Sequence, residues 1–123
     1  MKSIKFSFVI FILVLISGAC CSETSTPNDA LTIVATVTIK NAADKADVEK
    51  AMFAVVEGTR TEKGNISYVL HQDVSNPMVY TFIEVWKSQA AIDSHNASAH
   101  FKTFLSAIDG KIDLSVITMK MIK

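Results

Sequence analysis

With 123 residues, half of them hydrophobic and one in five charged, the chain has room for one domain around one core. Its 12 basic and 12 acidic residues balance, and setting aside Lys2 and Lys5 of the N-terminal segment leaves 10 against 12, a net charge near −2. A faintly acidic domain lacks the basic footprint that nucleic acid demands, so no nucleic-acid partner is expected.

Lys2 and Lys5 precede an unbroken apolar run from Phe8 to Ile16, which the small residues Ser17, Gly18 and Ala19 follow. That order predicts a secretory signal over residues 1–20. The run is short for a bilayer span, and a buried core helix, the other reading, would carry a polar face that residues 6–16 lack. Ser17-Gly18-Ala19-Cys20 resembles a loose lipobox, in which Cys20 becomes the lipidated first residue of a bacterial lipoprotein. Ser17 departs from that pattern, and ordinary cleavage near Ala19 is the alternative. The expected location is the bacterial periplasm or a membrane-anchored form, the lipid anchor being the only membrane contact. Residues 21–30, polar and interrupted by Pro27, read as a flexible tether. Since both cysteines stand at 20 and 21, the domain at 31–123 has no internal disulfide, thiol nucleophile or cysteine metal site.

Leu31 to Ile39 alternates β-branched and apolar residues and predicts a first strand. Asn41-Ala42-Ala43-Asp44 breaks it; Asp44 is the expected N-cap of a helix in which Val48, Ala51, Met52, Val55 and Val56 recur at helical spacing up to Gly58. After Gly64-Asn65, the runs Ile66 to Val74 and Met78 to Trp86 flank Ser75-Asn76-Pro77 and predict a hairpin with a three-residue loop. Ser88 caps a short helix through about Asn96, Ser98 caps a second piece bearing Phe101, Phe104, Leu105 and Ile108, and Gly110 ends it. A last strand follows from about Leu114 to Ile122. The order β-α-β-β-α-β predicts an α+β, ferredoxin-like domain: a four-stranded antiparallel sheet with its helices on one face.

The strand from Met78 to Trp86 is apolar on both faces, with Val79, Thr81, Ile83 and Val85 on one and Met78, Tyr80, Phe82 and Trp86 on the other. Two helices cover only one face, and a second copy of the sheet is the simplest cover for the other, so a homodimer is expected. Pairing the hairpin about its loop sets Leu70 opposite Phe82, Tyr68 opposite Glu84 and Ile66 opposite Trp86, all on one face. His95, His100, Phe101 and Phe104 are the natural lid over that surface. A slip of one residue would scatter the cluster.

Glu84 lies in an otherwise apolar strand face, where a carboxylate needs a partner. It reads either as a proton acceptor or orienter of His95, or as a structural group bonded to Tyr68 or a helix N-terminus. His95 and His100 titrate near about 6.5 when unperturbed, so either is a candidate base. Their spacing of five sets them on different sides of a continuous helix, against a shared metal, unless the helix breaks at Asn96-Ala97-Ser98. His100 also reads as a partly exposed residue near a helix start. His71, on the opposite strand parity, is assigned to the dimer face or to solvent, and Arg60 to the surface. Tyr68, Phe82, Trp86, Phe101 and Phe104 serve equally as plain core.

Gly64-Asn65-Ile66-Ser67-Tyr68, the Pro77 turn, Phe82-x-Glu84-x-Trp86-x-Ser88, His95 and Ser98-x-His100-Phe101 form an ordered set. It resembles the antibiotic biosynthesis monooxygenase family of dimeric α/β barrels, and the likeness covers Leu31 to Ile122. The resemblance implies oxidation of a small quinol-like or polyketide-like aromatic by dioxygen, without metal, flavin or other cofactor. It implies catalytic roles for His95, Glu84 and Trp86, and substrate contacts from Tyr68, Leu70, Phe82, His100, Phe101 and Phe104. Haem-degrading relatives carry a His later in the second helix, where this chain has Leu105 or a neighbour, and an Asn near the end of the first strand, where Ala35, Thr36 and Val37 stand. A non-catalytic, envelope-tethered dimeric binding module is the alternative of a different class.

Overall fold

A computed structural model describes residues 29–123; the expected signal, Cys20 and residues 21–28 of the tether lie outside the described residues. β1 (Leu31–Ile39) follows its alternation: Ile33, Ala35, Val37 and Ile39 are buried and the residues between them half-buried. A 3-10 turn (Ala42–Asp44) leads into α1 (Lys45–Arg60). Asp44 holds the N-cap position, but the turn has already made its backbone helical and its side chain caps nothing. Asn41 Nδ2 donates to Asp44 Oδ2 at 3.4 Å instead.

Along α1, Val48, Met52, Val55, Val56 and Thr59 are buried, and the helix runs through Gly58 rather than ending there. A Cβ on Gly58 would lie 2.8 Å from Cγ of His100. Glycine in mid-helix costs about 1 kcal/mol relative to alanine, and here it admits that imidazole.

β2 (Asn65–Gln72) and β3 (Val79–Trp86) make the hairpin, and the reversal takes residues 73–78 rather than three. Asp73 Oδ1 accepts from the N–H groups of Ser75 and Asn76 at 2.6 and 3.1 Å, and Asn76 Oδ1 from that of Met78 at 3.0 Å. These side-chain acceptors build the turn in place of further ladder bonds. The register survives, with Leu70 opposite Phe82 and Tyr68 opposite Glu84. An irregularity between Asn65 and Ser67 shifts the last pair, so that Asn65 faces Trp86 and Ile66 is 54% exposed, off the expected surface.

α2 (Gln89–Ala97) and α3 (Ala99–Ile108) are separate helices. Ser88 Oγ accepts from the Ala91 N–H, while Ser98, with φ −68° and ψ 153°, interrupts the helix and accepts from the Phe101 N–H. Gly110, at φ 71°, turns the chain into β4 (Ile112–Lys120), which starts two residues earlier than expected.

The sheet runs β2-β3-β1-β4 with every pair antiparallel, the split βαβ arrangement expected from the sequence. Helical side chains pack on the face bearing Val37, Tyr80, Phe82 and Trp86. Opposite them, Val69, Ile83, Ile117 and Met119 are exposed. β4 is exposed along nearly its whole length, including Leu114, which shares the helix-side parity of its partner Val37.

A Cβ on Gly64 would stand 2.4 Å from Cβ of Ala91, which seats the start of β2 against α2. Gly64→Ala is expected to cost about 1–3 kcal/mol in urea unfolding, with Ala91→Gly in the same chain restoring part of it. Coincident midpoints for Gly64→Ala and wild type would show that the contact is not there.

Candidate functional site

The break at Ser98 decides where the two histidines point. On one straight helix, residues five apart diverge by about 140°. The interruption instead brings both rings to the carboxylate of Glu62, in the turn after α1: His95 Nδ1 and His100 Nε2 each lie 2.7 Å from Glu62 Oε1. Ser98 Oγ stands 3.3 Å from His100 Nε2.

A carboxylate oxygen only accepts, so His95 carries its proton at Nδ1 and, as a neutral ring, keeps a bare lone pair at Nε2. That Nε2 is buried without a hydrogen-bond partner, and no other side-chain atom recorded among the described residues is in that position. Phe101, Trp86 and Tyr68 surround the ring at centroid distances of 4.4, 4.8 and 5.8 Å. Burial among them holds the imidazole pKa below its ordinary 6.5, with the Glu62 carboxylate pulling the other way.

Glu84 is buried, and its Oε2 accepts from Trp86 Nε1 at 2.8 Å. Burial raises its pKa above the ordinary 4.5; bonding to Trp86 and Tyr68 opposes the rise and the charge of Glu62 adds to it. Loss of solvent, and then the neighbouring Glu84 charge, push the Tyr68 hydroxyl up so that it stays protonated. The carboxylate that orients His95 is therefore Glu62, and Glu84 serves Trp86 and Tyr68.

The remaining residues singled out in the sequence extend this wall. Tyr68 and Phe82 lie 5.4 Å apart, Phe82 and Phe104 6.0 Å, and Phe101 and Phe104 6.1 Å. Leu70, opposite Phe82, also lines a groove of about 440 Å³ between α1 and β2, together with Phe53, Arg60, Gln72 and Tyr80. Arg60 does more than face solvent, for its Nε donates to the Tyr68 carbonyl at 3.0 Å and ties α1 to β2. His71 is exposed. Near the groove, Glu49 accepts from the Tyr80 hydroxyl and, at 2.5 Å, from Lys45 Nζ.

Sequence reasoning missed Glu62. Thr61-Glu62-Lys63-Gly64 looks like any solvated turn, and the one available signal was that two imidazoles near an apolar wall need an acceptor. Together Glu62, His95 and His100 offer three ligand atoms within 4.8 Å of one another.

Because burial penalises the Glu84 anion, its raised folded pKa makes it cost stability once pH rises through that value, and nothing below the unfolded pKa near about 4.3. Glu84→Gln keeps an oxygen for Trp86 and removes the charge. Its thermal midpoint relative to wild type is expected to be higher at pH 8 than at pH 4; a difference independent of pH would contradict the buried anion.

Residues 30–107 match the family described as antibiotic biosynthesis monooxygenase. Over 53 residues, 43% of this chain, the sequence is 36% identical to the Bacillus subtilis (strain 168) protein named "Putative monooxygenase YcnE", and the match spans 56% of that protein's length. Among solved structures, one described as an antibiotic biosynthesis monooxygenase is 29% identical with a TM-score of 0.71, covering 76% of this chain and 99% of that one. PA3566 from Pseudomonas aeruginosa is 27% identical with a TM-score of 0.72, covering 77% and 96%. The chain belongs to the antibiotic biosynthesis monooxygenase family.

Proposed function

We propose that the protein is an exported, homodimeric monooxygenase that oxidises a small quinol-like or polyketide-like aromatic with dioxygen and uses the substrate itself as reductant. One observation carries this reading: the buried, partnerless Nε2 of His95, whose lone pair Glu62 fixes by holding the opposite nitrogen. A neutral imidazole oriented by a carboxylate and walled by rings is a general base shielded from water.

His95 takes a proton from the acidic C–H or O–H of the substrate. The resulting anion delivers electrons to dioxygen, and one oxygen atom becomes bonded to the activated ring carbon. Loss of water then breaks the O–O bond, so that a CH₂ becomes C=O while the second oxygen leaves with both hydrogens. Tyr68, kept protonated and bonded to Glu84, lines the place of the substrate. His95, protonated in the first step, returns that proton to the departing oxygen and so regenerates the base, while Glu84 accepts the Trp86 N–H and fixes the indole in the wall.

The sheet face bearing Val69, Ile83, Ile117 and Met119 is the surface that pairs the two copies. The second reading, a non-catalytic dimeric binding module tethered at the envelope, is favoured by the α1–β2 groove, whose lining does not include His95.

In an oxygen electrode, a panel of hydroquinones and anthrone-like phenols is expected to include compounds that the protein consumes faster than buffer. His95→Ala is expected to cut that rate by roughly 10²–10⁴-fold, and Glu62→Gln by less. Uptake equal to buffer across the panel would leave the binding module. In size-exclusion chromatography with light scattering, wild type is expected at twice the protomer mass and Ile83→Glu at one; a monomeric wild type would remove the dimer.

A further inference from the structure

We infer that Glu62, His95 and His100 form a site for a divalent transition-metal ion, and that filling it withdraws the base from His95. Two imidazoles and one carboxylate are the donor set that Zn²⁺, Co²⁺, Ni²⁺ and Fe²⁺ share. The three ligand atoms already lie within 4.8 Å of one another. Bonds of about 2.0–2.2 Å in tetrahedral geometry set such atoms roughly 3.4 Å apart, so an entering ion parts the two 2.7 Å contacts to Glu62 and draws the imidazoles together, both by small side-chain rotations.

Independent features of the fold prepare the cluster. Ser98 breaks the helix between the histidines, Gly58 leaves room for the His100 ring, and the Phe101 ring packs at a tilt, 4.4 Å away, against that of His95. The His100 and Glu62 side chains are 30% and 17% exposed. An ion therefore has an entrance on that side, and water can take the positions the protein leaves open.

The ion replaces the proton between His95 Nδ1 and Glu62. A neutral imidazole bound to metal through Nδ1 must carry its proton on Nε2, so the lone pair that faces the aromatic wall becomes an N–H. The metal would thus act as an inhibitor rather than as a cofactor. This second half rests on the function proposed above, whereas the binding does not.

The test uses the full chain with Cys20→Ser and Cys21→Ser, so that no thiol competes, titrated with Co²⁺ alone. The visible spectrum is expected to change from that of aqueous Co²⁺ to that of a low-coordinate complex at one ion per chain, and Zn²⁺ to reverse it. His100→Ala and Glu62→Gln are expected to weaken binding by more than roughly tenfold, with His71→Ala binding as wild type does. An aqueous spectrum throughout, or equal binding by His100→Ala, overturns the site whether or not the protein consumes oxygen. On a compound that wild type oxidises, stoichiometric Zn²⁺ is expected to suppress uptake and a chelator to restore it. Uptake that continues at full occupancy overturns the inhibition and leaves the site standing.

Discussion

The Glu62 carboxylate is the point on which three helices converge. It belongs to the turn after α1, and its Oε1 takes bonds from the end of α2 and the start of α3 through His95 and His100. A hydrogen bond to a charged group contributes about 1.5–3 kcal/mol, and removing the acceptor would strand a buried donor as well. The neighbouring glycines belong to the same arrangement: a side chain on Gly58 would strike His100 and one on Gly64 would strike Ala91. The turn carrying the carboxylate thus sits against α3 on one side and α2 on the other, with no space for a methyl group at either contact.

Local rules were legible where the chain decides its own conformation. β1 has the bounds its alternation suggests, and Ser88 and Ser98 cap the helices they precede, because hydroxyl capping needs only residues three positions away. The hairpin register was legible too, since a half-buried pair of strands tolerates no slip. The loop was misjudged because Asp73 and Asn76 supply acceptors that unpair the strand ends, a competition that strand propensity does not measure. Ile66 was misplaced by an irregularity that periodicity cannot show.

Within the site, residue types were legible and partnerships were not. Glu84, Trp86, Tyr68 and His95 stood out as polar or aromatic groups on one apolar surface, and they do meet. Which carboxylate serves which ring depends on how the end of α1 is placed against α2 and α3, a tertiary fact with no local signature. Spacing alone set His95 and His100 apart, and one extended residue, Ser98, reversed that outcome.

The two faces of the sheet carry unequal demands. Beneath the helices, the buried strand positions form one cluster with helical side chains, and the rings of Trp86, Phe82 and Tyr68 are nearly sealed. On the other side Val69, Ile83, Ile117 and Met119 meet water, and β4 is bare on both faces. An apolar sheet face with an uncovered edge invites association, and chains that remain apart defend such surfaces with charge. Here Lys40 pairs with Asp113 at one end of the β1–β4 ladder, and from Leu114 to Met119 β4 carries no charge at all. The dimer proposed above would cover this surface, and since the Glu62 cluster lies on the helical side, pairing there would leave the half-exposed His100 edge of the cluster as it is.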